Sequence, residues 1–264
     1  LARRRSSLAP VLWVPASLAL GLLLLPLVAL IVRAPWATLP SLLAQPAVAQ
    51  ALGLSLATAA AATSVCLLLG IPLALVLARS AAWPAVPRRL LRSLISVPLV
   101  LPPVVGGVAL LLLLGRRGLI GEWLPFSIPF TPLAVVIAQV FVSMPFLVIA
   151  VEGALRASDR RIEVAAATLG ATRLTVLRRI TLPLVAPGIA SGALLCFTRS
   201  LGEFGATITF AGSFPGTTQT LPISTYLLLQ TDPDAAIALS LVLMVVSVAV
   251  LLGLRDRWVP GVLS

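Results

Sequence analysis

An all-helical integral membrane protein of six spans is the fold this sequence predicts, and three observations predict it. Hydrophobic residues make up 59% of the 264 residues and charged residues only 10%, against roughly 25% charged in a globular domain. Mean hydropathy is +1.12. Several apolar runs also reach the ~20 residues that a helix needs to cross a hydrocarbon core.

The spans are expected at about 11–32, 51–78, 93–114, 133–151, 186–211 and 235–254, within a single transmembrane domain over 1–264. Arg3, Arg4 and Arg5 precede the first run as in a secretory signal. That run ends without a small-x-small cleavage site, so an uncleaved first span is expected. In the second, Gly53, Ala57, Ala60 and Ser64 recur at helical spacing with Ser55, Thr58 and Thr63 interleaved, a face suited to close helix crossing near a pathway. Pro98, Pro102 and Pro103 before Gly106 and Gly107 predict a kinked or interrupted third span. Such a break is tolerable only where protein or water covers the freed backbone.

Orientation follows from the arginines. The chain has no lysine, and all 19 basic residues are arginine. With the N-terminus inside, the cytoplasmic stretches hold Arg3–5, 79, 88, 89, 92, 156, 160, 161, 173, 178, 179, 255 and 257, while Arg33, Arg116 and Arg117 lie outside. This asymmetry obeys the positive-inside rule and places both termini in the cytoplasm. It also accounts for a pI near 11.8 without nucleic acid as a partner. Residues 115–132 and 212–234 are then the two sizeable outer loops, where Trp123, Phe126, Phe130 and Tyr226 suit interfacial anchoring.

The missing residue types exclude most chemistry. Without histidine or lysine there is no histidine-based triad, no H-E-x-x-H zinc site, no Schiff-base lysine and no P-loop. No metal site is expected. Cys66 and Cys196 fall inside spans, where a small apolar role is the default and a structural disulfide is not expected. Glu203 is the single carboxylate within a span, whereas ion-coupled carriers usually place ionisable residues along their path. Any work done here draws its energy from elsewhere.

The polar loop 152–185 is the most informative stretch. Ser158 or Asp159 is a candidate N-cap, with Glu163 near the start of the helix that follows. Val164 to Thr168 offers a nearly bare, alanine-rich surface, and Gly170 suits a left-handed helix terminus. A second short helix over 172–180 carries Arg173, Arg178 and Arg179 and is expected to stop at Pro183. These residues by themselves allow an amphipathic linker on the headgroups or a plug for another protein's socket.

Glu163, Ala165, Ala166, Gly170, Ile180, Leu182 and Pro183 resemble the EAA motif of ABC-importer permeases, here E-x-A-A-x-x-x-G-x9-I-x-L-P. Val164 departs from it, standing where many importers have a small or acidic residue. A second block, R-S-L-G-E-F-G-A-T over 199–207, resembles molybdate and sulfate permeases. Phe214-Pro-Gly-Thr-Thr-Gln-Thr-Leu-Pro222, Tyr226, Gln230, the run 97–107 and Gly115-Arg-Arg-Gly118 are similar to the molybdate branch. The resemblance covers about residues 50–255. It implies a type I importer permease working as a homodimer, with two cytoplasmic ATPases gripping the coupling loop and an extracytoplasmic molybdate-binding protein delivering the ion. It implies a multi-pass protein of a prokaryotic cytoplasmic membrane, bathed in lipid, that binds no cofactor itself because ATP and magnesium sit on the partner ATPase. Tungstate and sulfate remain alternatives as tetrahedral dianions, and a self-sufficient anion channel is the alternative of a different class.

A dianion crossing a low-dielectric layer needs hydroxyls and exposed backbone amides rather than one fixed cation that would trap it. Thr198, Ser200, Gly202, Gly205, Thr207 and Thr209 supply such groups in span five, and Ser200 and Thr207 fall on roughly one face. Small and hydroxyl residues also pack helices in any bundle. Arg199 and Glu203, four apart, can meet on the helix surface. Two roles stay open for them: a self-neutralising structural pair, or a gate in which Arg199 draws the anion and Glu203 keeps it from staying.

Overall fold

The computed structural model describes residues 12–80 and 83–258. Arg3, Arg4 and Arg5, on which part of the orientation rests, lie outside the described residues, as do the side chains of Arg160, Arg255, Asp256 and Arg257. The described residues form twelve α-helices and no strand: α1 (Trp13–Val32), α2 (Leu39–Leu43), α3 (Pro46–Arg79), α4 (Ala85–Val100), α5 (Pro103–Leu114), α6 (Pro132–Ala157), α7 (Arg160–Thr168), α8 (Arg173–Val176), α9 (Leu182–Leu201), α10 (Gly205–Ala211), α11 (Leu221–Thr231) and α12 (Pro233–Trp258).

Five helical stretches are long and apolar enough to span a membrane: α1, α3, α6, the continuous run Arg173–Leu201, and α12 over Pro233–Leu252. A sixth exists only if α4 and α5 are counted together, and they are bent by 113°. The prolines break the chain where expected, with Pro102 and Pro103 at the joint. The break is nevertheless much sharper than a kink, and the two halves cannot follow one membrane normal. At ~1.5 Å per residue, the 12-residue α5 is about 18 Å long and too short to cross alone.

Span five differs as well. The helix stops at Leu201 rather than running on to residue 211, and α10 restarts at Gly205. Pro183, expected to end the second loop helix, does not end it. Residues 177–181 form a π-helical turn, and the helix continues through Pro183 to Leu201. The wide turn accommodates a ring that would otherwise crowd the carbonyl four residues back. The stretch 212–234, expected as an outer loop, contains a helix of its own, α11.

The core centres on α6, whose Leu147, Val148 and Val151 pack with Cys66, Ala74 and Leu77 of α3 and Val185 and Cys196 of α9. Further along α6, Ala134, Val135, Ala138 and Val142 pack with Leu110 of α5 and Ala206 and Phe210 of α10. Small residues bring these helices together. A Cβ on Gly188 would lie 2.3 Å from that of Ala154, and one on Gly107 2.7 Å from Thr209 Cβ and 2.8 Å from the Ala206 carbonyl oxygen. A Cβ on Gly205 would lie 2.9 Å from Pro103. The two short half-helices α5 and α10 are therefore locked together through glycine.

On α3 the inward face is Ala51, Ser55, Thr58, Ala59, Ala62, Cys66 and Gly70. Gly53, Ala57, Ala60 and Ser64, the face expected at a close crossing, are exposed on this subunit. In a membrane span both faces are apolar or small, so spacing could not say which turns inward.

Candidate coupling loop and buried charge sites

The loop after α6 is built by local capping. The Asp159 carboxylate accepts from the Arg161 amide at 2.9 Å and starts α7, a cap worth about 1 kcal/mol. At the other end Gly170 adopts φ +87°. Its amide donates to Ala167, and that of Ala171 to Ala166, at 3.1 Å each, which is the Schellman pattern. Thr172 then caps α8 by accepting from the Thr175 amide. The left-handed terminus expected at Gly170 is present.

The structure divides the seven motif residues by exposure. Glu163, Ala166, Ile180 and Leu182 are half-buried, whereas Ala165, Gly170 and Pro183 are exposed. Around them Ile162, Val164, Leu169 and Leu174 present apolar side chains to the outside, Leu169 at 89% exposure. A surface of small residues studded with exposed aliphatics is of the kind that a partner covers. Glu163 turns inward, where its Oε1 accepts from the hydroxyl of buried Thr181 at 2.7 Å. The two line a cleft of ≈ 200 Å³ with Arg79, Arg156 and Ser158, at the foot of α3 and α6. Thr181 was not among the residues singled out from sequence, because a hydroxyl between Ile180 and Leu182 carries no signal until the helix phase is known.

At the other buried charge site, Arg199 Nη1 lies 2.5 Å from Glu203 Oε2. Glu203 is 1% exposed and Arg199 29%. The remaining Glu203 oxygen accepts from the Ala206 amide at 2.9 Å, satisfying one of the free donors at the start of α10. The pair thus bridges the break between α9 and α10 and does not sit on one continuous helix.

The other pathway candidates fall in different places. Gly202 is exposed. Ser200, Gly205 and Thr207 are enclosed within the subunit. The Ser200 hydroxyl donates to Ser143 Oγ at 2.9 Å, and Ser143 donates to the Gln139 carbonyl. Cys196 also reaches Ser143 at 3.3 Å, and both cysteines are free thiols in the core. Thr198 and Thr209 bond back to their own helix, to Leu194 and Gly205, as hydroxyls in helices commonly do. In this conformation the Ser200 hydroxyl ties α9 to α6, and Ser200 and Thr207 are both buried rather than facing an opening.

A third charged cluster was not anticipated. Glu152 of α6 is buried and its Oε1 receives both Arg92 of α4 and, at 2.8 Å, Arg156. The i, i+4 spacing of Glu152 and Arg156 was readable in sequence, but the contact with Arg92, sixty residues away, was not.

Known proteins are similar to this chain along most of its length. The chain is 54% identical over 248 residues to the molybdenum transport system permease protein ModB of Mycobacterium tuberculosis, covering 93% of each chain. It is 44% identical over 179 residues to that of Escherichia coli, covering 66% of this chain and 78% of the relative. The sulfate transport system permease protein CysT of Escherichia coli is 35% identical over 241 residues, covering 89% and 86%. Among solved structures, the MetNI methionine ABC transporter in inward-facing form matches with a TM-score of 0.64 at 16% identity, over 80% of this chain and 93% of that one. A bacterial alginate ABC transporter matches with a TM-score of 0.67 at 18% identity, over 93% of both chains. The family model described as binding-protein-dependent transport system inner membrane component matches residues 70–260, and the chain belongs to that family.

Proposed function

We propose that this chain is the membrane-spanning permease subunit of an ABC importer that carries molybdate into the cell. It works as a homodimer in a prokaryotic cytoplasmic membrane, with both termini in the cytoplasm. ATP and magnesium are handled by two separate cytoplasmic ATPases, and an extracytoplasmic binding protein delivers the ion. The observation that carries the substrate reading is the 54% identity to a molybdenum permease along 93% of both chains, against 35% to a sulfate permease.

The loop geometry supports the coupling role. The exposed aliphatics Val164 and Leu169 present a dry contact to the ATPase, and the small residues between them allow close approach. The Glu163–Thr181 bond makes α7 and the foot of α9 one lever, so ATP-driven closure of the ATPases moves span five directly. Within that span, we assign the meeting with the anion to Gly202 and Arg199, a reading supported by the exposure of the first and the partial exposure of the second. The Arg199–Glu203 pair both braces the break and moderates the positive charge there, because a lone buried cation would bind a dianion too tightly to release it.

Uptake of molybdate into vesicles carrying the permease, its ATPase and its binding protein tests this. ATP-dependent accumulation that excess sulfate leaves untouched is expected. Uptake abolished by sulfate assigns the chain to sulfate instead. Movement through the permease alone without ATP overturns the coupled reading in favour of a channel.

A further inference from the structure

We propose that the groove under α4 binds an anionic phospholipid, with its phosphate on Arg92 and Arg156 and an acyl chain along the apolar channel beside Ile95. This inference stands whichever ion the protein carries.

Helix α4 has no buried residue. Arg92 ties it to α6 through an ion pair with Glu152. That buried carboxylate meets two guanidinium groups, which are 51% and 47% exposed. One negative charge cannot neutralise two positive ones, so the open side of the cluster keeps a positive excess. Planar guanidinium groups match phosphate oxygens in a bidentate fork.

The cavity at this cluster, lined by Arg92, Ser96, Glu152 and Arg156, measures ≈ 320 Å³. A second cavity of ≈ 370 Å³ is walled by apolar side chains including Leu110, Phe141 and Met144, and Ile95 borders both. Each volume falls in the roughly 300–1,000 Å³ range of small-molecule sites. A basic cavity beside an apolar one, with Ile95 lining both, matches a headgroup followed by a chain. Basic pockets between membrane helices characteristically take anionic headgroups.

Two other occupants fit less well. A free anion would fill the polar end and leave the apolar channel without a partner. A second copy would have to bring both a carboxylate to the Arg92–Arg156 excess and an apolar segment to the cavity beside Ile95, and the Leu94→Cys cross-link tests for it. A lipid satisfies both ends. Seated there, it lies against the joint where α4 and α5 diverge by 113° and holds α4 at that angle.

The test is native mass spectrometry of the full complex released from nanodiscs of mixed phosphatidylglycerol and phosphatidylcholine. Selective retention of phosphatidylglycerol is expected. Two variants should each lower it by about tenfold or more, the loss expected when charged hydrogen bonds or the channel are removed. Ile95→Trp fills the channel and leaves the charges. The triple variant R92Q/E152Q/R156Q removes the charges without stranding one, and carries the test if I95W fails to assemble. Equal retention of both lipids overturns the headgroup site. Displacement by inorganic phosphate means that a free anion is the ligand and overturns the proposal. Disulfide cross-linking between copies through Leu94→Cys shows that a second subunit covers the groove, which also overturns it.

Discussion

Thr181 donates to Glu163 Oε1 at 2.7 Å across eighteen residues of chain, and this bond fastens α7 to the foot of α9. Thr181 is 1% exposed and sits in the π-helical turn that carries the chain into Pro183. The acid of the motif is therefore an internal strut at least as much as a surface charge.

Thr181→Val keeps the shape and deletes the donor. A hydrogen bond to a charged group is worth about 1.5–3 kcal/mol, enough to lower ATP-driven uptake by about tenfold if the strut transmits the stroke. Glu163→Lys should do the same or worse. Thr181 is buried at the foot of a span, so both variants should also lower the melting temperature slightly while the complex still assembles. Full uptake by T181V, measured in vesicles with ATPase and binding protein, would show that the bond transmits nothing.

Gly170 has open space around its Cβ position but a left-handed backbone. Substitution there costs conformation rather than packing, about 1–2 kcal/mol for Ala. Asn, which tolerates that region, should lose less. Proline should fail outright, since it fixes φ near −65° and removes the amide that donates to Ala167. Co-purification of the ATPase with each variant should follow the order Gly, Asn, Ala, Pro. A flat series would mean that the terminus geometry is irrelevant to docking.

Arg199→Ala leaves Glu203 buried at 1% exposure without its counter-charge, a loss of about 3–5 kcal/mol. The double variant R199A/E203Q removes both charges and should recover most of the thermal stability. Its transport separates the two roles. Recovery of uptake along with stability makes the pair a brace; a stable complex that carries no molybdate places Arg199 in the pathway, which is the outcome expected here.

Gly107→Ala and Gly205→Ala each push a methyl into the neighbouring half-helix. Overpacking of this kind costs about 1–3 kcal/mol. Both variants should lower the melting temperature. Gly53→Ala, at a position with nothing within 4 Å of its Cβ, should leave it unchanged. Equal melting of all three would mean that α5 and α10 separate easily.

Much of the polar loop after α6 was legible because its signals are local. Asp159 caps, Gly170 turns left-handed and the alanines lie between them, each acting over a few residues. The continuous helix through Pro183 was not legible, since proline normally reads as a stop and only the π turn rescues it. Nor was the break at 202–204. R-S-L-G-E-F-G reads as helix until the Glu203 side chain is seen capping the start of α10.

Residence in a membrane and the local caps of the polar loop at Asp159 and Gly170 follow from composition and local chemistry, and the sequence determined them by itself. The tertiary structure alone decided which side of each helix is the core. It turned Ser55, Thr58 and Cys66 of α3 inward and left Gly53, Ala57 and Ala60 outside. It also joined Arg92 to Glu152 and pressed Gly107 against Ala206. The reason is the solvent. In water an inward face is apolar and an outward face polar, so periodicity marks the core. Against lipid both faces are apolar, and packing between helices, which no single segment encodes, chooses between them.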